Sequence, residues 1–334
     1  MANGKLLRQL IKSGASGDAE AFRRASEAVI KEERQKQHHL LANDLESILY
    51  GKTIPFRPDF RKKELLDIPC DKERGLPLIE LREATRGETE IILSDQNASF
   101  IEEVIQEYGR SEVLQTYGLR PAEKLLFCGP PGCGKTLAAE VLASELDRPL
   151  GIVRIDTVVS SYLGETSANL RKVFDFAQMH PIVLLFDEFD AIAKERSDAT
   201  EHGELKRVVN SVLQMMDSLR SETLFICTSN HEKMLDSAIW RRFDDVILFE
   251  RPSTQQIKKL LALKLRAVRL DFSLEDQSIV NPFNGMAHAD IERVLRRAIK
   301  DMVLQGREFL TEANIRTALA REESRIKLSK GNHN

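Results

Sequence analysis

The stretch that decides the fold is residues 125–137, which read LLFCGPPGCGKTL. Four apolar residues predict a buried strand, and the run LAAEVLASEL that follows Thr136 predicts a helix. Between them, residues 129–136 supply three glycines, a lysine and a threonine. A glycine-rich turn between a strand and a helix lets backbone N–H groups face phosphate oxygens, and the helix N-terminus adds its positive dipole. The sequence therefore predicts a phosphate-binding loop.

This pattern assigns roles to individual side chains of the loop. Lys135 is expected to contact the β- and γ-phosphates of a nucleotide, and the hydroxyl of Thr136 is expected to bind Mg²⁺. A glycine–proline turn without a ligand is the competing interpretation, and the flanking strand and helix make it the weaker one. The nucleotide-binding residues predicted in this segment are Gly129, Pro130, Pro131, Gly132, Cys133, Gly134, Lys135, Thr136 and Leu137.

A second apolar run, at residues 182–186, leads directly into the acidic sequence DEFD. Ligands of open α/β sheets bind at the carboxyl ends of the strands, where these acids would lie. Asp187 is expected to hold Mg²⁺, and Glu188 is expected to polarise the attacking water. Solvated loop charges are the competing interpretation, and Asp190 is expected only to cap the following helix.

The remaining apolar runs set the fold class. They are continuously apolar rather than alternating, which is typical of a parallel sheet covered by helices on both faces. These runs are Gly151–Ile155, Leu224–Thr228 and Val246–Phe249. The run Leu224–Thr228 leads into Asn230, whose amide could bond water or a γ-phosphate, although Asn also ends strands for turn reasons. We predict an α/β fold built on a P-loop parallel sheet.

Helical spacing and proline content divide the chain. Residues 1–50 are predicted to form an N-terminal helical interaction unit, and residues 51–76, rich in proline and charge, a linker. Residues 77–251 would form the P-loop α/β domain, and residues 252–334 a small helical lid. Capping boxes are predicted for two helices, at Ser99 with Glu102 and at Ser253 with Gln256.

Composition excludes several classes of protein. The chain has 334 residues, with 49 Lys and Arg against 52 Asp and Glu. Because these charges nearly cancel, no strong field favours nucleic acid or an anionic membrane. The four cysteines are scattered, which suits a reducing compartment. No apolar stretch suits a signal peptide or a membrane span, so a cytoplasmic location without membrane partners is expected.

Four segments carry a family resemblance. GPPGCGKT, LLFDEFD, TSN and LDSAIWRRFD, in that order, resemble the Walker A, Walker B, sensor-1 and arginine-finger elements of AAA ATPases. The resemblance covers about residues 119–325. It implies a RecA-like α/β domain with a helical lid, ATP and Mg²⁺ as ligands, and self-assembly into a ring, in this family a hexamer.

The resemblance also assigns three polar residues. Asn230 corresponds to sensor 1, and Arg241 and Arg242 correspond to fingers that reach the γ-phosphate bound by a neighbouring subunit. A guanidinium fork suits this role because it offers several donors to charge that develops on a phosphoryl group. A solvated surface pair is the competing interpretation for the arginines. Under the family interpretation, each active site is shared between two chains.

The segment SSYLGE, residues 160–165, resembles the first pore loop of AAA members that translocate proteins. Tyr162 and Leu163 would face the central channel, where an aromatic ring grips extended chain by apolar contact. A buried core tyrosine is the competing interpretation.

The segment MAHADI, residues 286–291, resembles the glycine–alanine–aspartate start of the lid helix in the family. Ala289 is therefore expected to bind the nucleotide. His288 replaces the glycine, and the sequence leaves open whether it contacts adenine or ribose or caps the helix.

The sequence LDSAIWRRF most resembles that of the family branch that includes katanin, spastin and the ESCRT-disassembling ATPases. It implies a ring that remodels or unfolds proteins by pore-loop threading, with the N-terminal helices binding a protein substrate or adaptor. These helices could instead only pack on the ring. Two alternatives stay open, a DNA-acting AAA+ loader and a regulatory ATPase partner of a separately encoded protease. Nucleic acid is the less favoured partner because the chain is slightly acidic.

Overall fold

The computed structural model describes residues 12, 19–35, 67–84, 87, 90–159, 165–190, 203–218, 222–231 and 237–331. The chain divides into two compact units, residues 1–66 and residues 67–334. The first unit is described mainly by helix α1 (Ala19–Gln35). Phe22, Ala25 and Val29 recur at helical spacing within it, and Ala25 is buried. The candidate site belongs to the second unit.

The second unit is built on a sheet that has six strands within the described residues. In space their order is β1, β3, β4, β5, β2, β6, and only β1 runs antiparallel to its neighbour. The strands are β1 (Ile79–Arg82), β2 (Lys124–Cys128), β3 (Leu150–Val153), β4 (Val183–Phe186), β5 (Leu224–Ser229) and β6 (Asp245–Leu248). This arrangement confirms the predicted α/β fold, a RecA-like sheet of mainly parallel strands.

Helices cover both faces of this sheet. They are α2 (Asp95–Gly109), α3 (Ser111–Thr116), α4 (Lys135–Glu145), α5 (Ile155–Val158), α6 (Glu165–Met179), α7 (Gly203–Ser218) and α8 (Ser237–Trp240). Leu185 packs in the cluster that contains Ile101 of α2 and Leu142 of α4. Phe186, the next residue of β4, packs its ring against Phe174 of α6. Successive residues of β4 are therefore buried on opposite faces, which explains why the strand is continuously apolar.

One predicted helix start is wrong, and another is confirmed. Helix α2 begins after Ser94, whose hydroxyl accepts from the backbone N–H of Asn97 at 3.2 Å. Ser99 lies inside this helix, because the chain is already helical from residue 95. At the lid, Ser253 and Gln256 form the predicted capping box with both reciprocal bonds. The sequence also has a short apolar stretch at residues 89–93, and its described part, residues 90–93, forms no strand.

The helices after β6 enclose a core of their own. Leu261, Phe283, Leu295 and Leu319 all belong to this second buried cluster. The elements are α9 (Thr254–Leu265), α10 (Gln277–Val280), a 3₁₀ turn (Asn281–Phe283), α11 (His288–Leu304) and α12 (Glu312–Gly331). Among the helices of the described residues, none has the length and hydropathy to cross a bilayer.

Candidate functional site

The loop between β2 and α4 follows a path that only glycine accepts at several positions. Gly129, Gly132 and Gly134 have φ angles of 138°, 75° and 98°, a region that residues with a Cβ rarely adopt. A Cβ on Gly129 would lie 2.0 Å from the carbonyl oxygen of Phe249. This tight turn before a helix start suits a phosphate-binding loop. The loop contains Gly129, Pro130, Pro131, Gly132, Cys133 and Gly134, and the first turn of α4 contains Lys135, Thr136 and Leu137.

The ammonium group of Lys135 joins the loop to the end of β5. Its Nζ donates to the carbonyl oxygens of Gly129 and Pro130, at 2.6 and 2.9 Å, and to Oδ1 of Asn230 at 2.8 Å. The side chain is buried, and this burial lowers the pKa of Lys135. Neutral oxygens thus accept hydrogen bonds from all three N–H donors of the ammonium. A phosphate oxygen would make a stronger, charge-assisted bond at the same position.

Oxygen atoms from the loop helix and two strands meet at Asp187. The hydroxyl of Thr136 donates to Oδ2 of Asp187 at 3.0 Å. The hydroxyl of Thr228, on β5, donates to Oδ1 of the same carboxylate. Thr136 and Asp187 are both half-buried. Hydroxyl and carboxylate oxygens are hard ligands of the kind Mg²⁺ takes, so this donor set fits the predicted cation.

Glu188 holds an unusual backbone conformation beside this cluster. Its φ angle is 54°, in the left-handed region where residues other than glycine are uncommon and tend to occur at functional sites. Its N–H donates to the hydroxyl of Thr228 at 2.9 Å, while its side chain is exposed. Thr228 therefore fixes both acids, through the Asp187 carboxylate and the Glu188 backbone. The sequence did not single out Thr228, because its relation to the acids depends on the pairing of β4 with β5.

Asp190 makes a contact that was not predicted, and the residues of the helix that it was expected to cap lie outside the described part of the chain. Its carboxylate is buried and Oδ1 accepts from the backbone N–H of Asn230 at 3.0 Å. This bond fixes the residue that bonds Lys135 through its side chain. The structure thus forms two hydrogen-bonded pairs, Lys135 with Asn230 and Thr136 with Asp187, and Asp190 supports the first of them.

Arg241 and Arg242, the predicted arginine fingers, are at least partly exposed to solvent. They follow helix α8, where Arg241 is exposed and Arg242 is half-buried. Nε of Arg242 lies 3.1 Å from Oδ2 of Asp217, near the end of α7. This partly exposed ion pair places Arg242 at the surface of the chain.

The predicted pore-loop residues Tyr162 and Leu163 lie outside the described residues. The structure describes the chain up to residue 159 and again from Glu165, where α6 begins.

The lid touches the phosphate loop through Ala289. The N–H of Ala289 donates to the carbonyl oxygen of Gly132 at 3.0 Å. A Cβ on Gly132 would lie only 3.0 Å from the Cβ of Ala289, so the two backbones meet with no room for a larger side chain. The start of α11 is therefore seated on the loop.

His288 does not cap α11. Ala287 is the N-cap residue and makes no side-chain capping bond. Both ring nitrogens of His288 are buried and neither has a hydrogen-bond partner. The capping alternative offered by the sequence is therefore wrong, because no nitrogen of the ring bonds the helix backbone.

Comparison with known proteins agrees with this geometry. A family model described as "ATPase family associated with various cellular activities (AAA)" matches residues 125–251. A protein of Sinorhizobium fredii (strain NBRC 101917 / NGR234), described as an uncharacterized AAA family ATPase y4kL, is 40% identical over 325 residues. That alignment covers 97% of this chain and 97% of the relative. The family match spans the loop, the acids, Asn230 and both arginines.

Proposed function

Because this chain belongs to the AAA family of ATPases, we propose that it is a Mg²⁺-dependent ATP hydrolase that forms a ring and remodels or unfolds protein substrates. The observation that carries the proposal is the two hydrogen-bonded groups, Lys135 with Asn230 and Thr136 with Asp187 and Thr228. They join a phosphate-binding loop, a cation site and an acid pair at the carboxyl ends of three adjacent strands, β2, β4 and β5.

Binding of ATP is assigned to the loop. Lys135 would exchange its bonds to neutral oxygens for bonds to the β- and γ-phosphates, which carry full charge. Thr136 and Asp187 would hold Mg²⁺, and the cation would supply positive charge to offset that of the phosphates. Leu137 in the first turn of α4 and Ala289 at the lid are assigned to the rest of the nucleotide. Their positions next to the loop support this assignment.

Activation of water is assigned to Glu188. Its carboxylate is exposed, so it can reach a solvent molecule, while its backbone is held by Thr228. Asn230 would orient the same water or the γ-phosphate, with its own position fixed by Asp190. A restrained base next to a bound phosphate lowers the barrier mainly by orientation.

Charge that develops on the transferred phosphoryl group needs a cation in addition to Lys135. We assign this role to Arg241 and Arg242 acting on the site of a neighbouring subunit. The exposure of Arg241 and the surface ion pair of Arg242 support a role at a contact between chains. Each site would then be complete only in the ring, here proposed to be a hexamer.

Coupling of hydrolysis to work is assigned to Tyr162 and Leu163, which would grip a protein segment in the pore. The similarity of LDSAIWRRF to the katanin and spastin branch supports this assignment. Residues 1–50 would select the substrate or adaptor, residues 51–76 would link them to the ATPase domain of residues 77–251, and residues 252–334 would form the lid. The nearly balanced charge of the chain favours protein over nucleic acid.

The proposal is tested by trapping substrates. Glu188→Gln protein is expected to hold ATP without fast turnover, so that a captured client stays bound and is purified with the ring. The control is the double variant Glu188→Gln with Tyr162→Ala. Protein clients that depend on Tyr162 would support threading. Recovery of nucleic acid regardless of Tyr162, or of a protease as a constant partner, would replace remodelling by one of the alternative functions.

A further inference from the structure

Among the described residues, His288 is the one side chain recorded with buried polar atoms that lack partners. Proteins seldom bury a nitrogen without a hydrogen bond, because the group has lost its water and gained nothing in return. Burial also lowers the pKa of His288, so the ring is neutral near pH 7. A neutral imidazole offers one donor and one acceptor.

The imidazole lines a cleft of about 390 Å³ between the sheet and the lid. Cys133 of the phosphate loop lines the same cleft, together with residues 249–251, which lead into the lid. Ile92 and Leu93 add apolar surface. Polar side chains line the cleft beside this apolar surface, among them Asn97, Arg251 and Gln256. A cleft that combines apolar surface with polar groups is typical of a small-molecule site.

The position of the lid connects this cleft to the phosphate loop. Ala289 bonds Gly132 directly, so His288 stands one residue from a backbone contact with the loop. A nucleotide whose phosphates lie on the loop could extend its nucleoside along the boundary between loop and lid, because Cys133 of the loop and His288 of the lid line the same cleft. The unpartnered ring lies on that boundary.

We propose that His288 is a specificity-determining residue, whose unprotonated ring nitrogen accepts a hydrogen bond from the 6-amino group of adenine. Guanine carries a carbonyl at that position and offers no donor. The inference rests on the proposed function, since it needs a nucleotide on the loop. Neither nitrogen is open to solvent, so the ring turns toward the cleft when the base enters. The apolar surface of Ile92, Leu93 and Phe249 in the cleft suits the face of a flat base better than a hydrated sugar hydroxyl.

The test compares ligands that share some parts of ADP and lack others. Calorimetry on the full chain with Mg²⁺ measures the Kd of ADP, 2′-deoxy-ADP, GDP and pyrophosphate. His288→Phe keeps the ring shape without nitrogens, and His288→Ala removes the ring without adding volume. Both are expected to weaken ADP and 2′-deoxy-ADP by about five- to tenfold, the value of one hydrogen bond, and to leave GDP and pyrophosphate unchanged. His288→Asn, whose amide oxygen can accept, is expected to keep most of the preference for ADP.

Three results would overturn the assignment in folded variants, with folding checked by circular dichroism. They are unchanged ADP affinity without the imidazole, an equal loss of pyrophosphate affinity, and a loss for ADP that 2′-deoxy-ADP does not share. The second would indicate a structural role of the ring, and the third a contact to ribose. A wild-type chain that binds neither ADP nor pyrophosphate would instead overturn the nucleotide function itself.

Discussion

The end of β4 and the turn after α8 carry the two halves of the proposed chemistry, and they are built differently. At the end of β4, the acids are tied to Thr136, Thr228 and Asn230 by hydrogen bonds within one chain. After α8, Arg241 is exposed, and Arg242 makes a partly exposed ion pair. Under the proposed function, a single chain therefore prepares the binding of the phosphates and the cation in advance. It presents its arginines outward, as expected of groups that act on another chain.

The largest expected effect is at Lys135, in the part of the site that is assembled within one chain. Lys135→Ala should lower ADP affinity by at least about 10²-fold, because it removes charge-assisted bonds worth ~1.5–3 kcal/mol each. Steady-state phosphate release should fall to background. The control Lys258→Ala removes a lysine of the lid that pairs with Glu275, and it should bind ADP normally. Normal ADP binding by the Lys135 variant would show that the loop does not hold the phosphates.

The next effect tests the outward-facing half. Arg241→Ala and Arg242→Ala should each lower turnover by about 10³-fold, the lower range for an arginine that stabilises phosphoryl transfer. ADP affinity should change little, because the loop stays intact. Arg307→Ala, at an exposed position of the lid, is the control.

Mixing experiments then separate action within one chain from action between chains. Arg241→Ala chains have an intact loop, and Lys135→Ala chains have intact arginines. Mixed rings should recover part of the phosphate release that neither variant shows alone. If no mixing ratio restores activity, the result contradicts the assignment of the arginines to the site of a neighbouring chain.

A smaller effect is expected at Glu188. Glu188→Gln should lower turnover by about 10²-fold, the range for loss of a general base, while ADP affinity is retained. Single-turnover phosphate release measures the chemical step. Glu222→Gln is the control, because Glu222 is also exposed and lies just before β5. Turnover near the wild-type rate in the Glu188 variant would remove the water-activating role.

The smallest expected effect is at Thr228, which holds the two acids at the end of β4. Thr228→Val should lower turnover by about tenfold and destabilise the fold by ~1–3 kcal/mol, because two groups lose their hydroxyl partner. Thr223→Val is the matched control. That hydroxyl is also buried, but it bonds the carbonyl oxygens of Ala177 and His180. It should lose similar stability in denaturant titration and keep its turnover, and equal loss of activity in both variants would contradict a special role for Thr228.

The sequence predicted those features whose signal is local. The glycine-rich loop lies between a strand and a helix that are adjacent in the chain, and five apolar runs mark the strands β2 to β6 to within two residues. The same capping pattern was correct at Ser253 and wrong at Ser99, because whether a serine starts a helix depends on where the preceding chain turns.

The contacts that were not predicted join distant parts of the chain. Thr228 lies 41 residues from Asp187, and Arg242 lies 25 residues from Asp217. Such pairs are fixed by the register of β4 and β5 and by helix packing, which no short pattern encodes. The sequence could not predict the unpartnered ring of His288 either, because burial of its nitrogens depends on how the lid packs against the sheet.

The close contact of Ala289 with Gly132 sets a limit on how this protein can evolve. Glycine is required at residue 132 by its φ of 75°, so that position cannot shrink or change to make room. A Cβ at this position would also lie 3.0 Å from the Cβ of Ala289, so residue 132 cannot carry a side chain without displacing the lid. Substitutions that enlarge residue 132 would have to arise together with a shift of the whole lid, and single-step variation at this position should be nearly absent among functional descendants.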